Sequence, residues 1–245
     1  MDYIPTRENP KLKINFTELR PDDVEGIKAT KINKMPLKKT GTTTVALKIK
    51  DGVVIAADNR ATMGMLIANK NAKKVHQIQP YIYMTIAGGV ADALYLIDLL
   101  RAETEIYNLR NESKMGVNQA AKLLQNILYN KKGWYQVGHL VGGYTEKDGA
   151  KIYNLGGYGS MLEEDYASVG SGSRFALGIL ETEWKEDLSR EEGIKLAIKA
   201  VRSAIQRDIA SGNGIDVAAV QKGQEPWEKS YSITDQSIID NTFEV

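Results

Sequence analysis

The 245-residue chain contains no cysteine. That excludes disulfides, thiol nucleophiles and cysteine-ligated metals, and it fits a cytoplasmic protein. Histidine is almost as scarce. His76 and His139 are the only two, so histidine-dependent chemistry is confined to those positions, and neither sits at metal-ligand spacing. No apolar run approaches the roughly 18 residues needed to span a bilayer. The first thirty residues lack the apolar segment of a secretory signal. An excess of one charge is missing too: 32 Lys and Arg stand against 31 Asp and Glu, a formal net charge of +1. Neither a nucleic acid nor a membrane is expected as partner on that balance. Of the six prolines, Pro5, Pro10, Pro21 and Pro36 fall within residues 1–41.

What is present reads as one large globular domain behind a different kind of segment. Hydrophobic residues make up 42 % of the chain, enough for a sizeable core. Residues 1–41 show little apolar periodicity, so ordering them costs more than they can bury. A floppy tail and a removable leader are both open at this point.

From Thr43 the pattern changes. "TTVALKIK" is rich in strand formers and ends at Asp51-Gly52, a hairpin signal. "VVIAAD" follows, nearly all apolar, as in a strand covered on both faces. "KVHQI" and "YIYMTIAG" read as further strands. Two helices come next, one with Leu94, Ile97, Leu100 and Ile106 near one face, the other with Val117, Ala120, Ala121, Leu124 and Leu128 at helical spacing. A strand pair turns at Lys147-Asp148-Gly149. Gly156-Gly157-Tyr158-Gly159 reads as a turn, and a third helix is expected after Gly172. A fourth opens with the capping box Ser189–Glu192 and repeats Ile194, Ala197, Ile198, Val201 and Ile205. "GIDVAAVQK" closes as a strand. Hairpins imply mainly antiparallel sheets, and two helix pairs need sheet faces to cover. The economical architecture is a four-layer α/β/β/α sandwich.

Gly41-Thr42-Thr43-Thr44 raises a chemical question. Threonine favours strands, so the run alone reads as a solvent-facing strand. A threonine hydroxyl becomes a useful nucleophile only when a base takes its proton. If the Gly41–Thr42 peptide bond is cut, Thr42 gains a free α-amine with a reference pKa of roughly 8, partly neutral near pH 7. That amine can serve as base without any histidine. A nearby cation would stabilise the alkoxide, and a carboxylate would hold the cation. Asp58, after five apolar residues, reads as a partly buried, partnered acid. A strict two-residue turn at Asp51-Gly52 would pair Val45 with Asp58 and put Asp58 on the face opposite Thr42. The mechanism is therefore expected to require a register shifted by one residue.

Taken together, "GTTTVALKIKDGVVIAADNRATMG", "NAKKVHQI", "MTIAGGVAD", "ASVGSGSRFALGILE" and "GIDVAAV" resemble the proteasome β-subunit family, closest to the archaeal type. The resemblance runs from Gly41 to about Val220. It implies an N-terminal-nucleophile hydrolase made as a precursor, with residues 1–41 as propeptide and 42–245 as the catalytic domain. It further implies Thr42 as nucleophile, Asp58 as the acid orienting Lys74, Ser171 and Asp216 as the pair positioning the amine, and the Gly88 N–H as oxyanion donor. Gly41 matches the residue before the self-processing cut. Ala61, Thr62, Ala72, His76, Ile86 and Val90 match the substrate cleft, whose mostly apolar character implies cleavage after hydrophobic residues. No cofactor is implied. The partners implied are seven-membered β rings of one or several subunit types stacked with α rings, an ATPase regulator acting through the α ring, and unfolded polypeptide substrates. Two departures stand out: Ala219 where some members carry a serine three residues after the "IDV" aspartate, and Arg174 at the start of the third helix. Gly170-Ser171-Gly172 on its own would also fit an anion-binding nest, but no full phosphate-loop pattern follows it.

Overall fold

The computed structural model describes residues 41–131 and 133–235. The leader expected at residues 1–41, Gly41 apart, lies outside them, as do residues 236–245. The elements run β1 (Thr43–Ile49), β2 (Gly52–Asp58), β3 (Ala61–Met63), β4 (Leu66–Asn69), β5 (Val75–Gln79), β6 (Ile82–Thr85) and β7 (Ala87–Gly88). Helices α1 (Val90–Asn111) and α2 (Val117–Asn130) follow. Then come β8 (Val137–Thr145), β9 (Gly149–Gly156), β10 (Met161–Glu163), β11 (Tyr166–Gly170), α3 (Ser173–Glu183), α4 (Arg190–Ile205), β12 (Gly214–Gln221) and β13 (Trp227–Ser232).

Two sheets carry the fold, in the orders β11-β1-β2-β12-β13 and β10-β9-β8-β6-β5, with β7 added beside β8. All the strand pairings are antiparallel. Side-chain alternation divides the first sheet between two cores. Val45, Leu47, Val54, Ala56 and Val217 pack with α3 and α4. Ala46, Val53, Ile55, Ala57 and Ala218 face the second sheet, whose other side is closed by α1 and α2. This is the expected four-layer sandwich. β2 is buried along its whole length because it lies in mid-sheet with both faces covered.

The helices follow their patterns with one exception. All five residues named for α2 are fully buried, and the α4 capping box is formed. In α1 the buried stripe is Ala93, Leu96, Ile97, Leu100 and Thr104, while Leu94 and Ile106 are exposed. The stripe turned because α1 is apolar on more than one side, so spacing alone did not select the face. The short strands β3, β4, β10, β11 and β13 left no clear alternation in the sequence.

The first hairpin corrects the register expectation. Ile49 pairs with Gly52, Val45 with Ala56 and Thr44 with Ala57. The turn holds two residues, Lys50 and Asp51, with Asp51 in the left-handed region at φ 53°. Moving a two-residue turn back by one position moves the pairing by two. Parity is unchanged, and the expected one-residue shift is absent. Asp58 thus follows the helix-facing alternation of Val54 and Ala56, while Thr42, just before β1, follows that of Ala46 toward the second sheet.

Candidate active site

The ends of β1 and β2 meet where backbone pairing runs out, and Asp58 fills the gap. Its Oδ1 accepts the Thr43 N–H at 2.8 Å, and its Oδ2 accepts those of Arg60 at 3.0 Å and Gly212 at 2.9 Å. The side chain is 0 % exposed. A buried carboxylate holding three backbone N–H groups is pinned in one orientation. The Lys74 ammonium, also buried, completes the set on Oδ1 at 2.8 Å. Burial lowers the Lys74 pKa, and the charge and hydrogen bond of Asp58, with smaller contributions from the charges of Asp208 and Asp216, work against that shift. Asp58 therefore need not share a face with Thr42. The lysine spans the difference, since it bonds Asp58 and also lines the narrow cavity in which Thr42 lies.

That cavity, about 40 Å³, gathers most of the residues singled out from sequence: Gly41 and Thr42 with Ala61, Thr62, Ala72, Lys74, Ile86, Gly88 and Val90 around them. His76 is not in its lining. It is buried nearby with Nε2 3.0 Å from the Lys73 carbonyl, and burial lowers its pKa. Gly41 donates its N–H to Thr62 Oγ1 at 3.1 Å. A Cβ at position 41 would fall 1.8 Å from Ala210 Cβ and 3.0 Å from Ser171 Oγ, so only glycine fits there.

The Thr42 nitrogen opens a second network. It donates to Ser171 Oγ at 3.1 Å, and Ser171 Oγ donates to Asp208 Oδ2 at 2.6 Å. Ser211 Oγ donates to the same Oδ2 at 2.7 Å and lies 2.7 Å from Thr43 Oγ1. The glycines flanking Ser171 answer to β1: a Cβ on Gly170 would lie 2.0 Å from the Thr42 carbonyl oxygen, and one on Gly172 2.0 Å from Thr43 Oγ1. Close approach of two strands, rather than an anion nest, accounts for the Gly-Ser-Gly run.

Asp216 does not join this network. It lies in mid-β12, opposite Ala57, accepts a hydrogen bond from Ser230 Oγ at 2.6 Å, and lines a separate cavity of about 290 Å³ with Asn59 and Asn71. Asp208 occupies the position expected of it. Ser211, three residues after Asp208, gives that carboxylate its second hydroxyl, whereas Ala219 offers none. Sequence reasoning passed over "RDIASG", 207–212, because it follows α4 without a strand pattern. A usable signal was there: an acid just beyond a helix C-terminus opposes the helix dipole and calls for another reason. Arg60 was missed as well. Its guanidinium donates to Asn213 Oδ1 at 2.8 Å and to the Ile209 carbonyl at 2.9 Å, strapping the 208–213 loop to the end of β2. Arg174 is exposed and takes no part. Among the described residues no group of three or more His, Asp or Glu is placed to hold a metal ion.

The arrangement puts Thr42 and the buried Lys74 on one cavity and ties the Thr42 nitrogen to an acid through one serine. Such a set can stabilise an alkoxide on one side and an ammonium on the other.

Comparison with known proteins agrees with the motif resemblance. The family model described as proteasome subunit matches residues 38–220. The proteasome subunit beta of Methanosphaera stadtmanae is 47% identical over 182 residues, covering 74% of this chain and 87% of the relative. The proteasome subunit beta 2 of Aeropyrum pernix is 45% identical over 194 residues, 79% of this chain and 87% of the relative. That of Haloferax volcanii is 47% identical over 182 residues, 74% of each chain. With a buried Lys74–Asp58 pair beside Thr42 in an antiparallel four-layer sandwich, and this similarity over most of its length, the chain belongs to the proteasome subunit family.

Proposed function

We propose that the chain is a catalytic proteasome β subunit, a threonine endopeptidase that cuts itself between Gly41 and Thr42 and then hydrolyses peptide bonds from Thr42. The Thr42 nitrogen carries this reading. A strand-leading amide has no need of a serine backed by a carboxylate, whereas an amine that must hold and release a proton does.

In the processed chain the α-amine takes the proton of Thr42 Oγ1 as that oxygen bonds the substrate carbonyl carbon. The developing negative charge falls near Lys74 and the Gly88 N–H. Collapse breaks the peptide bond, and the leaving nitrogen receives the proton held by the amine. Water then attacks the ester, returns a proton through the amine to Oγ1 and frees the acid. Asp58 keeps Lys74 charged and in place. Ser171, Asp208 and Ser211 orient the amine.

The cavity wall formed by Ala61, Ala72, Ile86 and Val90 favours hydrophobic side chains before the cut. Relatives named as proteasome subunits, together with the motif resemblance, support a seven-membered β ring stacked with α rings, in which the sites face an inner chamber and an ATPase regulator feeds unfolded polypeptide through the α ring. The test is intact mass and peptide cleavage of the protein assembled with α subunits. The expected result is loss of residues 1–41 and cleavage after hydrophobic residues, both abolished in Thr42→Ala. Self-maturation or peptide cleavage persisting in Thr42→Ala overturns the mechanism. An unprocessed, inactive ring would leave a structural subunit.

A further inference from the structure

Asp216 stands outside the amine network, and the cavity it lines has no part in the proposed reaction. That cavity, about 290 Å³, opens where β12 and β13 meet the start of β5. Asp216 follows the alternation of Ala218 and Val220 toward the second sheet. Glu228, on β13, turns the same way, since its Oε1 accepts the Tyr83 hydroxyl of β6 at 2.8 Å. Two carboxylates therefore share one face. Asp216 pairs with Ser230 across the strands, so Glu228 is its diagonal neighbour, at the roughly 7–8 Å usual for such positions.

Both carboxylates have capacity to spare. The Ser230 hydroxyl takes Asp216 Oδ1 at 2.6 Å, which leaves Oδ2 for a second donor. Glu228 Oε2 has Lys73 at 3.5 Å, with that side chain 59 % exposed, and a pair so loose and so wet holds little energy. The Lys229 ammonium lies 5.0 Å over the Tyr231 ring, on the opposite face. Asn59 adds a buried carbonyl oxygen with no hydrogen-bond partner. Val75 and Val217 give the cavity an apolar floor. A single ammonium meets one carboxylate; two joined by a short alkyl chain meet both and lay their methylenes on the valines. We infer that this cavity binds a short aliphatic diamine or polyamine, one ammonium at Asp216 and the other at Glu228.

Only a thin wall separates this cavity from that of Thr42. The Asn59 carbonyl accepts the Ala72 N–H at 2.8 Å, joining residues 58–60 to residues 71–74. Along the second segment Ala72 and Lys74 line the Thr42 cavity, Asn71 lines the other, and Lys73 lines both. An ammonium seated at Glu228 replaces Lys73 there and repels it toward the cleft. Occupancy then favours acidic peptides over basic ones in the cleft. This last step rests on the proposed peptidase activity; the binding itself does not.

Calorimetric titration of the assembled protein with putrescine tests the site. The expected Kd is on the order of 1 mM at low salt, with butylamine about tenfold weaker and butanediol giving no heat. Asp216→Asn and Glu228→Gln keep the side-chain shapes and the acceptors for Ser230 and Tyr83, and each should weaken putrescine about tenfold. No substrate is present, so a failure here is separate from a failure of the peptidase reading. In peptide assays, saturating putrescine should raise the kcat/KM of a Glu-bearing over a Lys-bearing substrate about threefold, and Lys73→Ala should abolish that change. Equal affinity for butylamine and putrescine, or undiminished binding in either carboxylate variant, overturns the site. Displacement of putrescine by magnesium ions at constant ionic strength assigns the carboxylates to a metal and overturns it too. Binding with an unchanged substrate ratio overturns the coupling through Lys73.

Discussion

Two buried polar sites in this chain are solved in opposite ways. At the ends of β1 and β2, Asp58 and Lys74 are held as an ion pair, and both Asp58 oxygens are engaged by three backbone N–H groups and the ammonium. In mid-β8, His139 is 0 % exposed with one hydrogen bond, Nδ1 to the Thr85 carbonyl at 2.8 Å, and an unpartnered Nε2. Burial pushes its pKa down to about 4, so it stays neutral. Burial alone removes charge. Charge survives only where partners were built around it, and such building marks chemistry rather than packing.

Perturbing each site in turn should separate the two. Thr42→Ala is the largest expected effect: peptide hydrolysis should fall by at least about 10⁴-fold, because the nucleophile is gone, as read by steady-state assay of assembled protein. Asp58→Ala leaves Lys74 buried without its counter-charge. It should destabilise the chain by about 3–5 kcal/mol in urea unfolding, and adding Lys74→Met should recover part of that loss.

His139 should respond to pH instead. The unfolded chain takes up its imidazole proton near pH 6.5, the folded chain only near about 4. Between those values the unfolded state binds more protons, so stability falls as pH drops through the window, by up to about 3 kcal/mol. The difference between wild type and His139→Phe in urea midpoints at pH 4.5 and 7 isolates this contribution, and the variant should show the flatter dependence.

Asp208→Asn should lower kcat about a hundredfold and shift the acidic limb of the pH–rate profile, which reports the amine that must be unprotonated to act as base, whereas Asp216→Asn should stay within about threefold, since its carboxylate serves Ser230. Equal losses would return Asp216 to the amine network. The smallest effect expected is from Arg60→Ala, about 1–2 kcal/mol from two lost hydrogen bonds to the 208–213 loop, visible as faster amide exchange there.

Legibility from sequence followed locality. The α2 and α4 stripes and the Ser189–Glu192 cap depend on residues a turn apart, and each took its expected form. The α1 face was not legible, because Leu94 and Ile106 compete with Leu96 and Thr104 and only the second sheet chose between them. The edge strand β13 was invisible for a related reason: its pattern is mostly exposed and polar, and its partner β12 supplies the order. Thr42, Lys74 and Gly88 were found through motifs and share one cavity. Asp208 was not, because its partner Ser171 stands 37 residues away and no periodicity joins them.

By itself, then, the sequence determined the order of the helices and the longer strands, the layers they must form, and a threonine placed where a cut would make its own nitrogen a base. Tertiary structure decided which acid serves that nitrogen and from which face Asp58 acts. Register parity forbade the face expected of Asp58, and a lysine long enough to reach across made parity irrelevant. Side-chain reach and loop placement are set by packing between distant elements, and no local pattern encodes them.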